Sequence, residues 1–567
     1  MGAKINYSNI ISFFSVSVCL SALGLITWGA FHFANRGFEL SDETYYLYFS
    51  NNFDSNVYLT TAFGVLNKFF CFGSPTLINL RLAKFIYQSL AVIVFAISLL
   101  KYLKFKQIKL ETSSKFIFVS ILLLCSYINY DYLPMTISYN TWSLILSLLG
   151  VAVIFYEKTK PEMKTYFIGS LLFGTICFAL LLAKFPNAAV LFLLYIVLSF
   201  KCTKAELLIK AIGLLCGVLL GFIIFLHSFE ALKGILTNYW LTISEVKHDP
   251  VHPYSEQLKN FLSMCWEKNY LAGEIGLIFL AILIKRINSK LETYGFYLLL
   301  AINYGLMFLF RKGNGTELYN DFMAGCLILI NMALYVYMFG KQRSGLENTL
   351  VWCLLLMPFG LMFGTNNEFY YTVSQLMVFA VAGMLLFLAA TGNGFVFSGI
   401  TAVVISFFVV NVLYSGAVKN PYRQSNLDEK TYPLNFSSEI KGVLESKKRM
   451  IDYMVLNEAL KKLNTSQKPV MGFFSHFGMH YLNGCKVFPE SQITDNGKLM
   501  YINDYLLNRY GPPNNCDLVV MSRKTSVSAE FIDMFKRNGI VLDGNFKKVF
   551  TYKFLSTGEE TLIYKRI

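Results

Sequence analysis

At 567 residues, with 55% hydrophobic, 16% aromatic and only 15% charged side chains, this chain lies outside the composition of a water-soluble protein, which carries about 25% charge. The formal net charge of +15 does not indicate nucleic acid, because many of the lysines sit in short loops between apolar blocks, where they set topology and meet anionic lipid. The 11 cysteines include no CxxC pair, and Cys19, Cys125, Cys177, Cys216, Cys326 and Cys353 fall inside apolar blocks as small fillers.

Taken in chain order, apolar stretches of roughly bilayer-crossing length fall at 9–33, 82–100, 116–129, 140–156, 165–183, 186–200, 206–228, 271–284, 292–310, 322–339, 349–364, 370–390 and 395–415. In lipid the backbone must satisfy its own hydrogen bonds, so these blocks are helices. The first is longer than a signal-peptide core and is read as an uncleaved span. The sequence therefore predicts a polytopic α-helical membrane protein of about 13 transmembrane helices. Residues 1–416 form its membrane domain, with outer loops 34–81 and 229–270.

Lys101, Lys104, Lys106, Lys109, Lys115, Lys158, Lys160, Lys164, Lys201, Lys204, Lys285, Arg286, Lys290, Lys341 and Arg343 gather on one face if the spans alternate, and that face is cytoplasmic. The other face receives Asp42, Glu43, Asp131, Glu368 and, on or near it, all six histidines, so the chemistry looks outward. Residues 417–567 form a tail on that outer side. Met454–Leu463 and Ala529–Arg537 read there as helices. Pro469–Phe474, Asp517–Met521, Val549–Leu555 and Thr561–Tyr564 read as strands, which makes a small α/β domain. Cys485 and Cys516 can pair there if the compartment is oxidising. There is no internal repeat of the kind on which many transporters are built.

The pattern richest in chemistry is Ser41-Asp42-Glu43-Thr44-Tyr45-Tyr46, just after the first span. A bland account exists: Ser41 as a helix N-cap, Asp42 and Glu43 as first-turn acids favoured by the helix dipole, and the aromatics on a helix lying in the interface. The other account comes from resemblance. The acidic pair with its aromatics resembles the opening motif of the GT-C glycosyltransferases, nearest the aminoarabinose transferase and protein mannosyltransferase group. Phe72-Gly73-Ser74-Pro75 with Asn79-Leu80-Arg81-Leu82, and Leu182-Ala183-Lys184-Phe185-Pro186-Asn187, resemble later motifs of that group in order and spacing. The lysine-proline-proline motif common in the aminoarabinose branch is absent, with Tyr58–Phe63 standing in its place.

The resemblance implies an inverting glycosyltransferase at the periplasmic face of a bacterial inner membrane, with the N-terminus cytoplasmic. It would move a monosaccharide from a polyprenyl-phosphate donor to an envelope glycan or glycolipid, with O-antigen or lipopolysaccharide modification favoured. Asp42 would be the base and Glu43 its helper. Arg81, Lys184, Arg311 and Lys312 would hold the donor phosphate; the alternative for each is snorkelling at a helix end. Tyr45, Tyr46, Asp131, Tyr139, Asn140, Asn366, Asn367 and Glu368 are the substrate-binding candidates. No cofactor is required; His248 and His252, beside Asp249, either hold a divalent metal or form a solvated turn. The rivals are a lipid A or protein glycosyltransferase of the same superfamily, an O-antigen polymerase or ligase, and a lipid-linked sugar flippase. The last calls for charged or broken helices at mid-membrane.

Overall fold

The computed structural model describes residues 7–52, 61–71, 75–131, 134–200, 202–246, 259, 326, 347–362, 369–390, 394–464, 468–472, 477–485, 487, 516–523 and 528–567. The first ten helices are α1 (Tyr7–His32), α2 (Asp42–Asn51), α3 (Gly64–Phe70), α4 (Leu77–Phe105), α5 (Thr112–Tyr127), α6 (Tyr139–Thr159), α7 (Met163–Ala183), α8 (Phe185–Ser199), α9 (Lys204–Phe225) and α10 (Phe229–Val246). Helices Asn348–Leu361, Phe369–Ala389 and Gly394–Val412 follow, the last running into a π-helical turn at Leu413–Lys419. Among the described residues 8 helices are long and apolar enough to cross a bilayer, and α8 and Asn348–Leu361 are shorter apolar helices. The expected spans at 271–284, 292–310 and 322–339 lie outside the described residues. Close helix contact uses missing side chains: a Cβ on Gly217 of α9 would stand 2.0 Å from the Leu171 carbonyl oxygen of α7, the small-residue packing usual where lipid supplies no hydrophobic drive.

In the tail, strands β1 (Tyr432–Leu434) and β2 (Val443–Glu445) pair antiparallel. Strands β3 (Val470–Gly472), β4 (Leu518–Ser522), β5 (Phe546–Lys553) and β6 (Glu560–Arg566) form a second sheet in the order β3-β4-β6-β5, parallel between β3 and β4 and antiparallel elsewhere. All of β4 is buried because both faces are covered. Val519 and Met521 pack with Phe531, Met534 and Phe535 of helix Ala529–Arg537, while Leu518 and Val520 join a core shared with Leu456 and Leu460 of helix Lys447–Leu463. Cys485 and Cys516 are both free thiols; Cys516 donates to the Leu518 carbonyl.

The start of the tail covers the segment after α1. The Gly37 amide donates to the Leu444 carbonyl (2.8 Å), the Leu444 amide donates to the Asn35 carbonyl (2.7 Å), and the Leu77 amide donates to the Glu439 carbonyl (2.9 Å). Beneath this contact Lys430 and Glu445 form an ion pair at 2.6 Å with both side chains fully buried, and Glu445 also accepts from the Phe38 amide. On its other side α2 meets helix Phe477–Leu482, where a Cβ on Gly478 would stand 2.4 Å from the Leu40 carbonyl oxygen. So α2 is not a helix lying on an interface: Glu43, Thr44 and every residue from Tyr46 to Ser50 are buried, wedged between the helical bundle and the tail.

Candidate active site

The site begins at the N-terminus of α2, and its cap is not the expected one. Ser41 is helical itself and caps nothing with its side chain. The free amides are taken by Glu39, whose Oε1 accepts from the Ser41 amide (3.1 Å) and Oε2 from the Asp42 and Glu43 amides. A carboxylate here meets both the open N–H groups and the positive end of the helix dipole. Burial, reinforced by the neighbouring charges of Asp42 and Glu43, pushes the Glu39 carboxyl up to about 7, against the pull of Ser41 and Arg423.

The three acids of this corner have different roles. Glu43 is fully buried and meets Arg81 in a two-bond fork: Nε to Oε1 at 3.0 Å and Nη2 to Oε2 at 2.6 Å. Arg81 gives its remaining N–H groups to the carbonyls of Ala34, Arg36 and Gly37 at 2.8–3.0 Å. All five guanidinium donors are then used, and none is left for a phosphate. In this arrangement Arg81 supports Glu43, since a buried carboxylate without such a partner is strongly destabilising. One turn along α4, Lys84 donates to the Asn129 and Pro134 carbonyls and lies 4.2 Å from the Tyr130 ring centre. This clamp fixes the turn carrying Asp131, which is itself buried against Gly416: a Cβ there would stand 1.7 Å from its Oδ1.

Asp42 is the acid that solvent reaches, with 22% of its side chain exposed. It faces the tail. The Tyr422 hydroxyl hydrogen-bonds its carboxylate, and Arg423 Nη1 lies 3.8 Å from Oδ2 while donating to Ser41 Oγ at 2.9 Å. Burial raises the Asp42 carboxyl above its ordinary range and Glu43 adds to the rise, with Arg423 and Tyr422 opposing. Tyr46, Tyr139 and Tyr422 all lie within electrostatic reach of this one carboxylate. Tyr46 is held edge-on to Phe63 at 5.4 Å, and Tyr45 edge-on to Phe49 at 4.3 Å.

Next to Tyr139, Asn140 accepts from Lys184 Nζ at 3.4 Å. Lys184 is 6% exposed, and burial alone lowers its ammonium to about 7. Among the described residues no carboxylate pairs with it. The carbonyls before it are tied down: Ala183 accepts from Thr61 Oγ1 (2.7 Å) and Leu181 from the Tyr239 hydroxyl (2.9 Å). The corner thus offers a carboxylate whose proton affinity burial raises, three phenols, and a buried ammonium that no carboxylate among the described residues pairs with.

Asp42, Tyr46, Tyr139, Asn140 and Lys184 are brought together as a chain of neighbours; Arg81 is tied to Glu43, and Asp131 sits against the beginning of the tail. Arg311, Lys312, Asn366, Asn367, Glu368, His248 and His252 lie outside the described residues. Among the described residues no group of three or more His, Cys, Asp and Glu side chains is placed to hold a metal ion. Sequence reasoning missed Glu39, Tyr422 and Arg423. For Glu39 the signal was an acid three residues ahead of the helix start; for the other two it was an aromatic-cation pair after Pro421, the first proline past the last span.

No family model matches this chain, and no curated protein does. Among solved structures, the chain is similar to the crystal structure of the Archaeoglobus fulgidus oligosaccharyltransferase in complex with Zn and sulfate. Sequence identity is 10%, the TM-score is 0.42, and the match covers 98% of this chain and 73% of that one. A likeness at that score carries no argument, so the function is read from the site.

Proposed function

We propose that the chain is an inverting glycosyltransferase of the GT-C type, at the outer face of a bacterial inner membrane. It takes a monosaccharide from a polyprenyl-phosphate donor and delivers it to an envelope glycan or glycolipid, in O-antigen or lipopolysaccharide modification. The observation that carries the reading is the division of labour in the corner. Two of its three acids are occupied with backbone amides and a guanidinium, while Asp42, its carboxyl raised by burial, is the one of the three that is partly exposed, and it shares its surroundings with a buried lysine that no carboxylate among the described residues pairs with.

The chemistry needs one base. The leaving group is a phosphate monoester whose second pKa is about 6, so it departs without a proton. A glycosidase, by contrast, needs an acid and a base or nucleophile. Asp42 removes the proton of the acceptor hydroxyl as that oxygen attacks the anomeric carbon, and attack from the face opposite the phosphate inverts the centre. Glu43 and Arg81 hold the helix that aims Asp42. Lys184 meets the growing negative charge on the phosphate, where a buried ammonium is worth most. Arg311 and Lys312 are kept as further cations for the phosphate. Tyr45, Tyr46, Tyr139 and Asn140, with Asn366, Asn367 and Glu368, contact the sugar and acceptor, and Asp131 braces the wall near Gly416.

The test is purified full-length protein with a panel of radiolabelled polyprenyl-phosphate sugars and an envelope extract, comparing wild type with Asp42→Asn. Transfer from one donor that vanishes in a normally melting Asp42→Asn variant supports the reading. Normal transfer by that variant refutes the assignment of the base, and no transfer from any donor refutes the glycosyltransferase.

A further inference from the structure

The tail does more than cover the outer segment. Pro421–Gln424 form a tight turn closed by the Gln424 amide donating to the Pro421 carbonyl at 2.9 Å, and its two middle residues, Tyr422 and Arg423, are the ones that meet Asp42. Arg423 adopts φ +52, a left-handed conformation that a side chain other than glycine, asparagine or aspartate seldom takes. The turn is held by long-range ties. Arg449 donates to the Arg423 carbonyl (2.9 Å) and to the Phe38 carbonyl (3.4 Å), joining the turn to the segment before α2. Lys430 donates to Gln424 Oε1 at 3.3 Å while paired with Glu445. Gln424 in turn packs so closely on Gly37 that a Cβ there would stand 2.2 Å from its Oε1. An arginine takes the left-handed position, and its guanidinium ends beside Asp42 and Ser41.

We infer that the Tyr422–Arg423 turn of the tail is a working part of the site, in which Arg423 and Tyr422 position Asp42 and set its proton affinity. The inference rests on Asp42 being the base. Among the described residues the groups that face Asp42 are Glu39 and Ser41 from the preceding segment, Glu43 and Tyr46 from its own helix, Tyr139 from α6, and Tyr422 and Arg423 from the turn. Among these Arg423 supplies the positive charge, since Arg81 is closed on Glu43. Its contact is loose, 3.8 Å with 43% of the arginine side chain exposed, so a donor phosphate arriving at this mouth competes with Asp42 for the guanidinium. When the guanidinium turns to the phosphate, Asp42 loses its cation and becomes the stronger base. The proton of the acceptor hydroxyl then passes to Asp42, the acceptor oxygen bonds to the anomeric carbon, and the anomeric carbon–oxygen bond breaks with its electron pair leaving on the phosphate. Base strength is in this way coupled to donor occupancy.

The experiment titrates Asp42 directly. Infrared difference spectra of the full-length protein in detergent, with the Asp42 carboxyl band identified by its loss in Asp42→Asn, give its midpoint in wild type, Arg423→Gln, Arg423→Lys and Tyr422→Phe. Removing an opposite charge at this distance raises the Asp42 midpoint in Arg423→Gln by about 1 pH unit. Tyr422→Phe raises it by less, and Arg423→Lys returns it most of the way to wild type. Lys419→Gln, which breaks an exposed pair with Asp428 on the same stretch of tail, leaves it unmoved. A midpoint in Arg423→Gln that stays at the wild-type value, in protein that melts normally, overturns the inference. Should Arg423→Gln not fold, an unmoved midpoint in both Arg423→Lys and Tyr422→Phe overturns it equally. A midpoint that moves while no donor is ever used leaves the turn's role standing and removes the glycosyltransferase.

Discussion

Replacing Arg81 by methionine separates two roles that the sequence leaves open. If Arg81 is a scaffold, the variant strips the guanidinium from Glu43, a carboxylate with 0% exposure, and leaves three backbone carbonyls short of a donor. Breaking one side of a buried pair costs about 3–5 kcal/mol, with about 1 kcal/mol for each abandoned carbonyl as an upper addition. That is a large fraction of the stability of an ordinary domain. Exchanging Glu43 for glutamine in the same chain removes the stranded charge, so the double variant is less damaged than the sum of the singles by about 2 kcal/mol. Thermal melting of the purified protein in detergent, with limited proteolysis to report release of the tail, measures both quantities. The reasoning fails if Arg81→Met melts like wild type, or if the two single effects simply add. It fails differently if Arg81→Met keeps its melting temperature but raises the donor KM tenfold, for then the arginine binds phosphate after all.

Asp42→Asn loses at least a hundredfold in kcat, the ordinary contribution of a positioned base, with an unchanged melting curve; a loss of less than tenfold removes it from the chemistry. Because burial raises its carboxyl, the transfer rate of wild type rises with pH through the Asp42 midpoint and levels above it, falling about tenfold per unit on the acid side; a rate flat down to pH 4 contradicts this. Lys184→Met raises the donor KM while Lys184→Arg restores part of the loss. The ammonium has a value of about 7, so the charged form that attracts phosphate is present below that value and the wild-type KM climbs as pH rises through it, a limb missing in Lys184→Met. Gly416→Ala drives a methyl into the Asp131 carboxylate and destabilises by about 1–3 kcal/mol, which a melting series with Gly416→Ser as the larger intrusion checks.

The apolar helices were legible because the criterion is local: a run of apolar residues long enough for the bilayer declares itself without knowledge of its neighbours. What covers α2 was not legible, since the amide of Phe38 finds its partner in Glu445 and that of Gly37 in Leu444, some four hundred residues away. The same distance hid the fate of Arg81. Its position at the start of α4 fits phosphate binding, snorkelling or scaffolding equally well. What its guanidinium meets here are the carbonyls of Ala34, Arg36 and Gly37, beside the bridge between Arg36 and Leu444.

The acidic pair shows the same division on the smallest scale. Neighbouring residues on a helix point about 100° apart, so Asp42 and Glu43 cannot share one environment. Glu43 turns inward to the fork from Arg81, and Asp42 turns to the tail and the solvent. A general base must exchange its proton with a substrate, and a carboxylate closed on a guanidinium in the core cannot. The pair therefore cannot act as two equivalent groups. Either acid would have satisfied the sequence motif; the base we propose is the residue whose partner, a half-exposed arginine at 3.8 Å, is loose enough to let go.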